Sequence, residues 1–541
     1  MKGILVKGIL ALACVAFLLT PAAFGQTSRP ARESCAGLIK LSLPEAKVIS
    51  ATRIAPGAYR PPAGAADAGS SQTFYGTLPA FCRVQITSKP SSDSNIAIEA
   101  WMPVRNWNGR FRAQGNGGFA GYIDYHDMGV DVREGFATAS TDTGHTANPT
   151  DAAWALHHPE KVIDFGYRAI HEMTIAAKAA IDAFYGEAPR YSYFGSCSNG
   201  GRQALMEVQR FPADYNGVIA GAPANFWSHL LTAGLSAAQA LSQTPSSYIP
   251  SKKLPAIASA VNAACDAKDG VRDGVLNDPR ECRFDPATLL CKGADSDSCL
   301  TARQVTALKK LYAGARDSSG RVIFPGFLPG GEEGEGGWAL WITGKGPGRA
   351  LLFSFVDGYF ANIVYEDPQW NYKTANLDDA VEAADEKTAR VLNAADPNLR
   401  AFESHGGKLI IYHGWNDPAI PALNSIDYYN AVLGKLGKND ADSFVRLYMI
   451  PGMQHCGGGP GPDSFGAPGE SRQGDPRHDI QAAIQVWVEK GIAPETIVAT
   501  HYDGEKVKMT RPLCAYPEEA HYKGTGNSND AANFVCAAGK N

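Results

Sequence analysis

The sequence carries little charge and no concentration of charge of one sign. Charged residues make up 19% of its 541 residues, the formal net charge is −5, and no block of Lys and Arg occurs. Because nucleic acid is bound through clustered basic side chains, this composition argues against a nucleic-acid partner. The hydrophobic share, 44%, is ordinary for a globular protein and argues against disorder.

Several other patterns are missing. After residue 25 no apolar run is long enough for a membrane helix. The glycine-rich loop 115–121 lacks the G-x-G-x-x-G spacing and no P-loop lysine follows it, so it does not indicate a phosphate site. No internal repeat or interdomain linker divides the chain. Its length suits one large α/β domain with an insertion, or two to three domains.

The first 25 residues predict a secretory signal. Lys2 and Lys7 precede the short apolar run 8–19, and small residues suitable for cleavage follow. Cys14 raises a lipoprotein alternative, but it lies inside the apolar run. We therefore expect an exported protein, periplasmic or extracellular, that is free of the membrane once the signal is removed.

The cysteines agree with export. Of the 11, removal of Cys14 leaves ten, an even number that predicts up to five disulfides in an oxidising compartment. Short spacing favours three pairs: Cys265 with Cys282, Cys291 with Cys299, and Cys514 with Cys536. A fourth pair, Cys35 with Cys82, would tie the N-terminal arm down. Cys197 and Cys456 remain, far apart in the sequence.

The central stretch of the chain is 193–203, YFGSCSNGGRQ, which predicts a strand, a sharp turn and a helix. Ser198 lies at the apex, where a nucleophile elbow places its serine, and the Asn199 N–H would face a developing oxyanion. The usual motif is G-x-S-x-G; here Ser196 replaces the first glycine. A plain glycine turn is the alternative. In an α/β-hydrolase an earlier loop supplies the second oxyanion donor, for which Gly117 or Gly118 is the candidate.

The strands and helices predict a mostly parallel sheet. Strand patterns begin near residue 80 and alternate with helices, while 26–75 looks like an extended arm with little regular structure. Two later buried strands lead into H-G-x-x-D-P, which contains Asp417, and into P-G-M-Q-H-C, which contains His455. The order Ser198, Asp417, His455 is the α/β-hydrolase order. Asp142 and His145 follow another strand, and we expect them to order loops through hydrogen bonds.

The pattern breaks over 225–395, which predicts a large inserted lid between the halves 26–224 and 396–541 of a catalytic domain. Its many aromatic residues could line a pocket for a ring-bearing substrate or form the lid's own core. Its loop 265–282 holds repeated Asp-Gly pairs between the two cysteines of a predicted disulfide. Carboxylates and loop carbonyls suit Ca²⁺, although the EF-hand spacing is absent; a solvated acidic turn is the alternative.

The two leftover cysteines adjoin the candidate catalytic residues. Cys197 precedes Ser198 and Cys456 follows His455. If the serine and the histidine are within hydrogen-bond reach, these cysteines are close enough to form a disulfide that clamps the two loops together. Two independent patterns therefore select the same pair of loops.

With these motifs the chain resembles the tannase and feruloyl esterase family. The resemblance covers most of the mature chain and rests on these segments: 140–145, 164–168, 195–203, the Asp-Gly loop, 413–418, 451–456 and 511–514. It implies an α/β-hydrolase fold with a lid that binds a structural Ca²⁺. The ligands that it implies are the carboxylates of Asp266, Asp269 and Asp273 and the carbonyls of Val271 and Val275.

The resemblance also implies the reaction. Members of this family hydrolyse esters of aromatic acids, namely galloyl esters, feruloyl and related hydroxycinnamoyl esters and, in a close relative, a terephthalate monoester. The sequence alone leaves two other hypotheses open. One is a serine peptidase or amidase on the same scaffold, because a triad does not fix the leaving group. The other is a non-catalytic, calcium-stabilised binding protein.

Overall fold

The computed structural model describes residues 33–62, 72–470 and 474–539. The predicted signal, 1–25, lies outside these ranges, as does Cys14. Among the described helices, none combines the length and the apolar character needed to cross a bilayer.

The strands of the described residues, in chain order, are β1 (Ser42–Leu43), β2 (Ala46–Ile54), β3 (Phe81–Ser88), β4 (Ile96–Pro103), β5 (Arg110–Gln114), β6 (Ala137–Thr141), β7 (Tyr191–Cys197), β8 (Gly217–Gly221), β9 (Ala315–Arg316), β10 (Val322–Phe324), β11 (Lys408–Gly414), β12 (Val445–Ile450), β13 (Thr496–Asp503), β14 (Lys506–Cys514), β15 (Glu518–Tyr522) and β16 (Phe534–Ala538).

The α-helices of the same residues are α1 (Gln72–Tyr75), α2 (Tyr125–Arg133), α3 (Pro159–Ile163), α4 (Ala169–Tyr185), α5 (Asn199–Arg210), α6 (Trp227–Ser242), α7 (Leu254–Cys265), α8 (Ala302–Ala313), α9 (Trp338–Trp341), α10 (Leu351–Tyr359), α11 (Leu377–Leu392), α12 (Arg400–Ser404), α13 (Leu423–Leu436), α14 (Lys438–Asp442) and α15 (Ile480–Lys490).

Ten strands form one sheet in the order β1-β2-β3-β4-β6-β5-β7-β8-β11-β12. The strands from β6 to β12 in this order run parallel, whereas β1 to β4 and the β4–β6 pair are antiparallel. The mostly parallel sheet is therefore confirmed. Strands β8, β11 and β12 are almost entirely buried, as parallel strands covered on both faces must be. One face packs against α4, α5 and α13, and the other against α15.

The expectation for the N-terminal arm is wrong. Residues 42–54 form β1 and β2, and β2 pairs along its whole length with β3, from Ala46 opposite Ser88 to Ile54 opposite Phe81. This strand is only partly buried, because it lies near the edge of the sheet. Its few core positions left no clear alternation in the sequence, and tertiary pairing decided its conformation.

Two helices begin later than the apolar spacing of the sequence predicts, which places them at about 166–185 and 475–490. A π-helical turn, Asp164–Arg168, precedes α4, so the regular helix begins at Ala169 rather than at residue 166. The last helix begins at Ile480 rather than near residue 475, because the Asp479 carboxylate accepts hydrogen bonds from the N–H groups of Gln481 and Ala482 and so caps it.

The region 225–395 folds as an insertion with helices α6 to α11 around a hydrophobic cluster of its own. That cluster also takes in Phe119, Ala152 and Phe165 from the catalytic half of the chain. The insertion is thereby packed against the loops that follow β5 and β6, at the carboxyl end of the sheet.

All five disulfides predicted from the sequence are present: Cys35–Cys82, Cys197–Cys456, Cys265–Cys282, Cys291–Cys299 and Cys514–Cys536.

Candidate active site

Ser198 occupies a strained turn between β7 and α5. Its φ of 66° and ψ of −125° lie in a region that residues with a Cβ rarely adopt. The replacement of the usual glycine by Ser196 is accommodated at Gly200, where an added Cβ would stand 1.9 Å from Ser196 Oγ. The Ser196 variant of the elbow therefore requires glycine at position 200.

The structure brings Ser198, His455 and Asp417 together. His455 Nε2 lies 2.9 Å from Ser198 Oγ, and His455 Nδ1 lies 2.8 Å from Asp417 Oδ2. A carboxylate only accepts, so Nδ1 carries the proton and Nε2 is free to accept the Ser198 O–H. Asp417 comes from the loop after β11 and His455 from the loop after β12, at the edge where open α/β sheets gather their sites.

The Asp417 carboxylate is fully buried and fully hydrogen-bonded. Its Oδ1 accepts from the N–H groups of Ala419 and Ile420, and its Oδ2 from His455 and from a second histidine, His413. Burial by itself would raise the pKa of Asp417, but the electrostatic attraction of His455 and the hydrogen bonds from both histidines outweigh burial and hold the pKa well below its usual value. Asp417 is thus kept ionised beside His455.

The Cys197–Cys456 disulfide joins the two loops directly, with a Cα–Cα distance of 6.0 Å. Each half-cystine is the chain neighbour of a site residue, Ser198 or His455. Cys456 itself has a positive φ of 64°, which the covalent link helps to hold. The disulfide thus fixes the histidine loop relative to the elbow.

The loop and the helix that contain the oxyanion candidates are tied to each other. Asn199 Nδ2 donates to the Asn116 carbonyl at 3.0 Å, and the Asn116 N–H donates to Gln203 Oε1 at 2.9 Å. Asn199 is the first residue of α5, so its N–H has no acceptor within the helix and is available for a ligand. The Asn199 N–H therefore meets the requirement for one of the two oxyanion donors.

The second donor stays a prediction. The Gly117 N–H donates to the Tyr122 hydroxyl at 2.9 Å. Gly118 has a φ of +57°, and a Cβ there would stand 2.3 Å from the Pro149 carbonyl oxygen. Gly118 must therefore be glycine, and Gly117 can donate to an oxyanion only when Tyr122 releases it.

The side chain of Arg202 stabilises the elbow through hydrogen bonds. It is fully buried and donates to the carbonyls of Phe165 and Gly166 and to Asn199 Oδ1. Burial lowers the pKa of its guanidinium to about 9. The side chain connects the start of α5 to the π-helical turn before α4.

Asp142 and His145 order loops, as the sequence predicts. Asp142 Oδ1 accepts from the N–H groups of Ala97 and Gly144, and His145 Nε2 bonds the Phe119 carbonyl at 2.8 Å. Burial raises the pKa of Asp142 to about 7 and lowers that of His145 to about 4. Neither residue belongs to the Ser198 constellation.

Two aromatic residues of the insertion reach toward the site. The Trp341 ring meets the His455 ring edge to face, with centroids 5.0 Å apart. Phe355 stacks on Trp341 at 6.1 Å and contacts Phe119 at 5.4 Å. The other aromatics that the sequence singled out pack within the insertion: Trp338, Phe353, Tyr359, Phe360 and Trp370.

The Asp-Gly loop folds back on itself inside the Cys265–Cys282 disulfide. Asp266 Oδ1 accepts from the Gly274 N–H at 2.9 Å, and Asp269 Oδ1 accepts from the Val271 N–H at 2.9 Å. Asp273 Oδ1 accepts from the Val275 N–H at 3.1 Å, and its Oδ2 accepts from Arg511 at 2.6 Å. Arg511 thus supplies one positive charge against three carboxylates. These hard oxygen donors fit Ca²⁺ in their chemistry, and the calcium assignment stays a prediction.

Sequence reasoning missed two residues that touch the site. His413 was treated as part of a buried strand, although H-G-x-x-D places it four residues before Asp417, and its side chain bonds that carboxylate. Tyr122 gave no signal, because nothing in the sequence indicates that its hydroxyl returns to Gly117.

Comparisons with known proteins show which family the chain is similar to. A family model described as tannase and feruloyl esterase matches residues 82–537. An uncharacterised esterase of Xanthomonas campestris is 41% identical, covering 96% of this chain and 94% of its own. A probable feruloyl esterase B-2 of Aspergillus terreus is 35% identical over 84% of this chain and 86% of its own. Among solved structures, feruloyl esterase B from Aspergillus oryzae superposes with a TM-score of 0.84 at 30% identity, covering 93% of this chain and 99% of that one.

Proposed function

The chain belongs to the tannase and feruloyl esterase family and has its α/β-hydrolase fold, and from this premise we propose that it is an exported serine esterase that cleaves esters of aromatic carboxylic acids. Membership makes it a carboxylic ester hydrolase. The aromatic acyl group, the roles of individual residues and the bound calcium are the parts we propose.

In the proposed reaction Ser198 Oγ attacks the ester carbonyl while its proton passes to His455 Nε2, 2.9 Å away. Asp417 holds the ring in the required tautomer and stabilises the imidazolium. The Asn199 N–H and one of Gly117 or Gly118 would bind the oxyanion. Collapse of the tetrahedral intermediate breaks the bond to the alcohol, which takes the proton from His455. Water, activated by His455, then releases the acid from the acyl-enzyme.

The contact between Trp341 and His455 is the observation that supports an aromatic acyl group. A ring 5.0 Å from the proposed base, continued by Phe355 and Phe119, offers aromatic faces next to the reacting atoms. Aromatic rings bind other rings through large apolar area and through edge-to-face or offset stacking. A substrate ring bound here would have its ester group close to Ser198.

The test is hydrolysis of methyl ferulate, methyl gallate and p-nitrophenyl acetate, with the matching amide of ferulic acid to separate an esterase from an amidase. We expect activity on an aromatic ester that disappears in Ser198→Ala. Activity on the acetate alone would contradict the aromatic assignment, and an active Ser198→Ala would contradict the proposed nucleophile.

A pair of tryptophan variants tests the acyl site. Trp341→Leu should lower kcat/KM on methyl ferulate about 10-fold, which corresponds to the free energy of one aromatic pair. The kcat/KM on p-nitrophenyl acetate should change little. Trp370→Leu is the control, because Trp370 stacks on Phe360 within the insertion. Equal losses on both substrates in Trp341→Leu would show that this ring supports the site without selecting the acid.

We also propose that the Asp-Gly loop binds a structural Ca²⁺ through Asp266, Asp269, Asp273 and the carbonyls of Val271 and Val275. Of the three carboxylates, only Asp273 forms an ion pair with a described residue, Arg511. The negative charge that remains on the other two supports the calcium proposal. The ion would stabilise the insertion, and no catalytic step depends on it. Export is supported by the five disulfides, which persist in oxidising compartments.

A further inference from the structure

A second histidine shares the carboxylate oxygen that the proposed base uses. His413 Nε2 lies 3.1 Å from Asp417 Oδ2, the same atom that His455 Nδ1 meets at 2.8 Å. His413 is fully buried on β11, and the proposed reaction assigns it no role. Because a buried histidine must find partners for both ring nitrogens, its hydrogen bonds define its protonation.

The partners of His413 fix its tautomer. Its Nε2 faces two groups that can only accept, Asp417 Oδ2 and the Ile420 carbonyl at 3.0 Å, so Nε2 carries a proton. Its Nδ1 lies 2.7 Å from Ser425 Oγ on α13. A serine hydroxyl can donate, and in the neutral ring Nδ1 is the acceptor. Ser425 therefore donates to Nδ1 and leaves Nε2–H directed at Asp417.

The result is a chain of five side chains, half-buried at Ser198 and His455 and buried from Asp417 through His413 to Ser425, that is nearly symmetrical about one carboxylate. On one side Ser198 donates to His455, which donates to Asp417. On the other side Ser425 donates to His413, which donates to the same oxygen. Meanwhile Oδ1 is held by two backbone N–H groups, so the carboxylate cannot rotate without breaking hydrogen bonds on both oxygens.

We propose that His413 is a positioning residue of the active site: it orients Asp417 toward His455 and withdraws part of the charge of Oδ2, while Ser425 holds His413 in the tautomer that makes this possible. This inference rests on the proposed roles of Ser198, His455 and Asp417. His413 does not touch substrate, and its effect reaches the reaction through Asp417.

Three variants test the chain. His413→Leu removes the hydrogen-bond donor and fills its place with an apolar side chain of similar size. Its kcat should fall about 10- to 100-fold, because Asp417 loses part of its orientation toward His455 and a shift of about 1 Å in a catalytic group costs about 100-fold in rate, with KM little changed. The acidic limb of the kcat/KM–pH profile should move to higher pH, because Asp417 with one donor fewer stabilises the imidazolium of the base more strongly. His413→Gln, whose amide can still donate, should recover most of kcat. Ser425→Ala should lose less than His413→Leu.

Tyr412→Phe is the matched control. Tyr412 is the neighbour of His413 on the same strand, equally buried, and its hydroxyl has no hydrogen-bond partner among the described residues. It packs in the cluster on the face covered by α15. This variant should keep wild-type kcat and the same pH profile, so a loss confined to His413 and Ser425 identifies the hydrogen-bond chain rather than general damage to β11.

The outcomes separate this inference from the proposed function. If Ser198→Ala is inactive but folded His413→Leu keeps wild-type kcat and the same acidic limb, the role of His413 is refuted and the triad stands. If Ser198→Ala is active, the triad itself is wrong. Should His413→Leu fail to fold, ¹⁵N-histidine NMR of the wild-type protein decides, with His413→Gln used for assignment. A resonance for His413 protonated at Nε2 and not at Nδ1 supports the proposal, and the opposite tautomer overturns it.

Discussion

Removal of the Cys197–Cys456 disulfide should lower both stability and turnover, for different reasons. The bond closes a loop with a sequence separation of 259 residues. In the chain-entropy model such a closure removes about 5.5 kcal/mol of unfolded-state entropy at 25 °C. Turnover should fall because His455 precedes Cys456, and a shift of about 1 Å in a catalytic group costs about 100-fold in rate.

The Cys514–Cys536 disulfide provides the control. Its sequence separation is 22 residues and it ties β14 to β16, which lie outside the ten-stranded sheet that leads to Ser198. The same model gives about 3.4 kcal/mol for its removal. Both double-alanine variants should therefore lose stability, but only Cys197→Ala/Cys456→Ala should lose kcat.

The assay is urea unfolding at 25 °C beside kcat on an aromatic methyl ester without denaturant. Wild-type kcat in folded Cys197→Ala/Cys456→Ala would refute the argument that the disulfide positions His455. Equal kcat losses in both pairs would show that activity merely follows stability.

Three further predictions concern buried charge and metal. Burial raises the pKa of Asp142 to about 7 in the folded state, so the folded protein keeps a proton there that the unfolded chain releases above about pH 4. The protonated carboxyl therefore stabilises the fold by at most about 4 kcal/mol; this stabilisation is fully present below about pH 4 and is lost as the pH rises through 7. Asp142→Asn keeps an acceptor oxygen, so its melting temperature relative to wild type should rise between pH 5 and 9; a constant difference would contradict this. Arg202→Leu should cost about 3 kcal/mol in urea unfolding, because buried acceptors lose their donor; a change below about 1 kcal/mol would contradict it. A Ca²⁺ concentration 100 times its Kd should raise the free energy of unfolding by about 2.7 kcal/mol. Asp269→Asn should abolish that gain and the exposed Asp285→Asn should keep it; an equal gain in both variants would place the ion elsewhere.

The sequence predicted the parts of the site that depend on local chain geometry. A strand, a tight turn and a helix around Ser198 need small residues at fixed offsets, so the elbow is visible in residues 195–201. The order of Ser198, Asp417 and His455 follows from the order of parallel strands, and their loops meet because parallel strands end at one edge of the sheet. The even cysteine count, the short spacings and the neighbours of the site residues together led to all five disulfide pairs.

The sequence failed where conformation depends on strand pairing or on the details of a helix start. The strand Ala46–Ile54 has few buried positions and is set by its pairing with Phe81–Ser88. The starts of α4 and α15 were shifted by a π-helical turn and by the Asp479 cap. Each of these depends on a hydrogen bond or a pairing that residue type alone does not specify.

By itself the sequence determined the family, the elbow and the disulfide pairs, because these rest on residues at short or matched spacings. Tertiary structure alone decided which side chains of separate elements meet. Among the many aromatic residues of the insertion, it brought Trp341 to His455 and left Trp338 in the insertion's core. It also brought Ser425 of α13 to the ring of His413 on β11. The physical reason is that such contacts are made by side chains on separate elements, whose approach is set by packing of the whole core rather than by any local pattern.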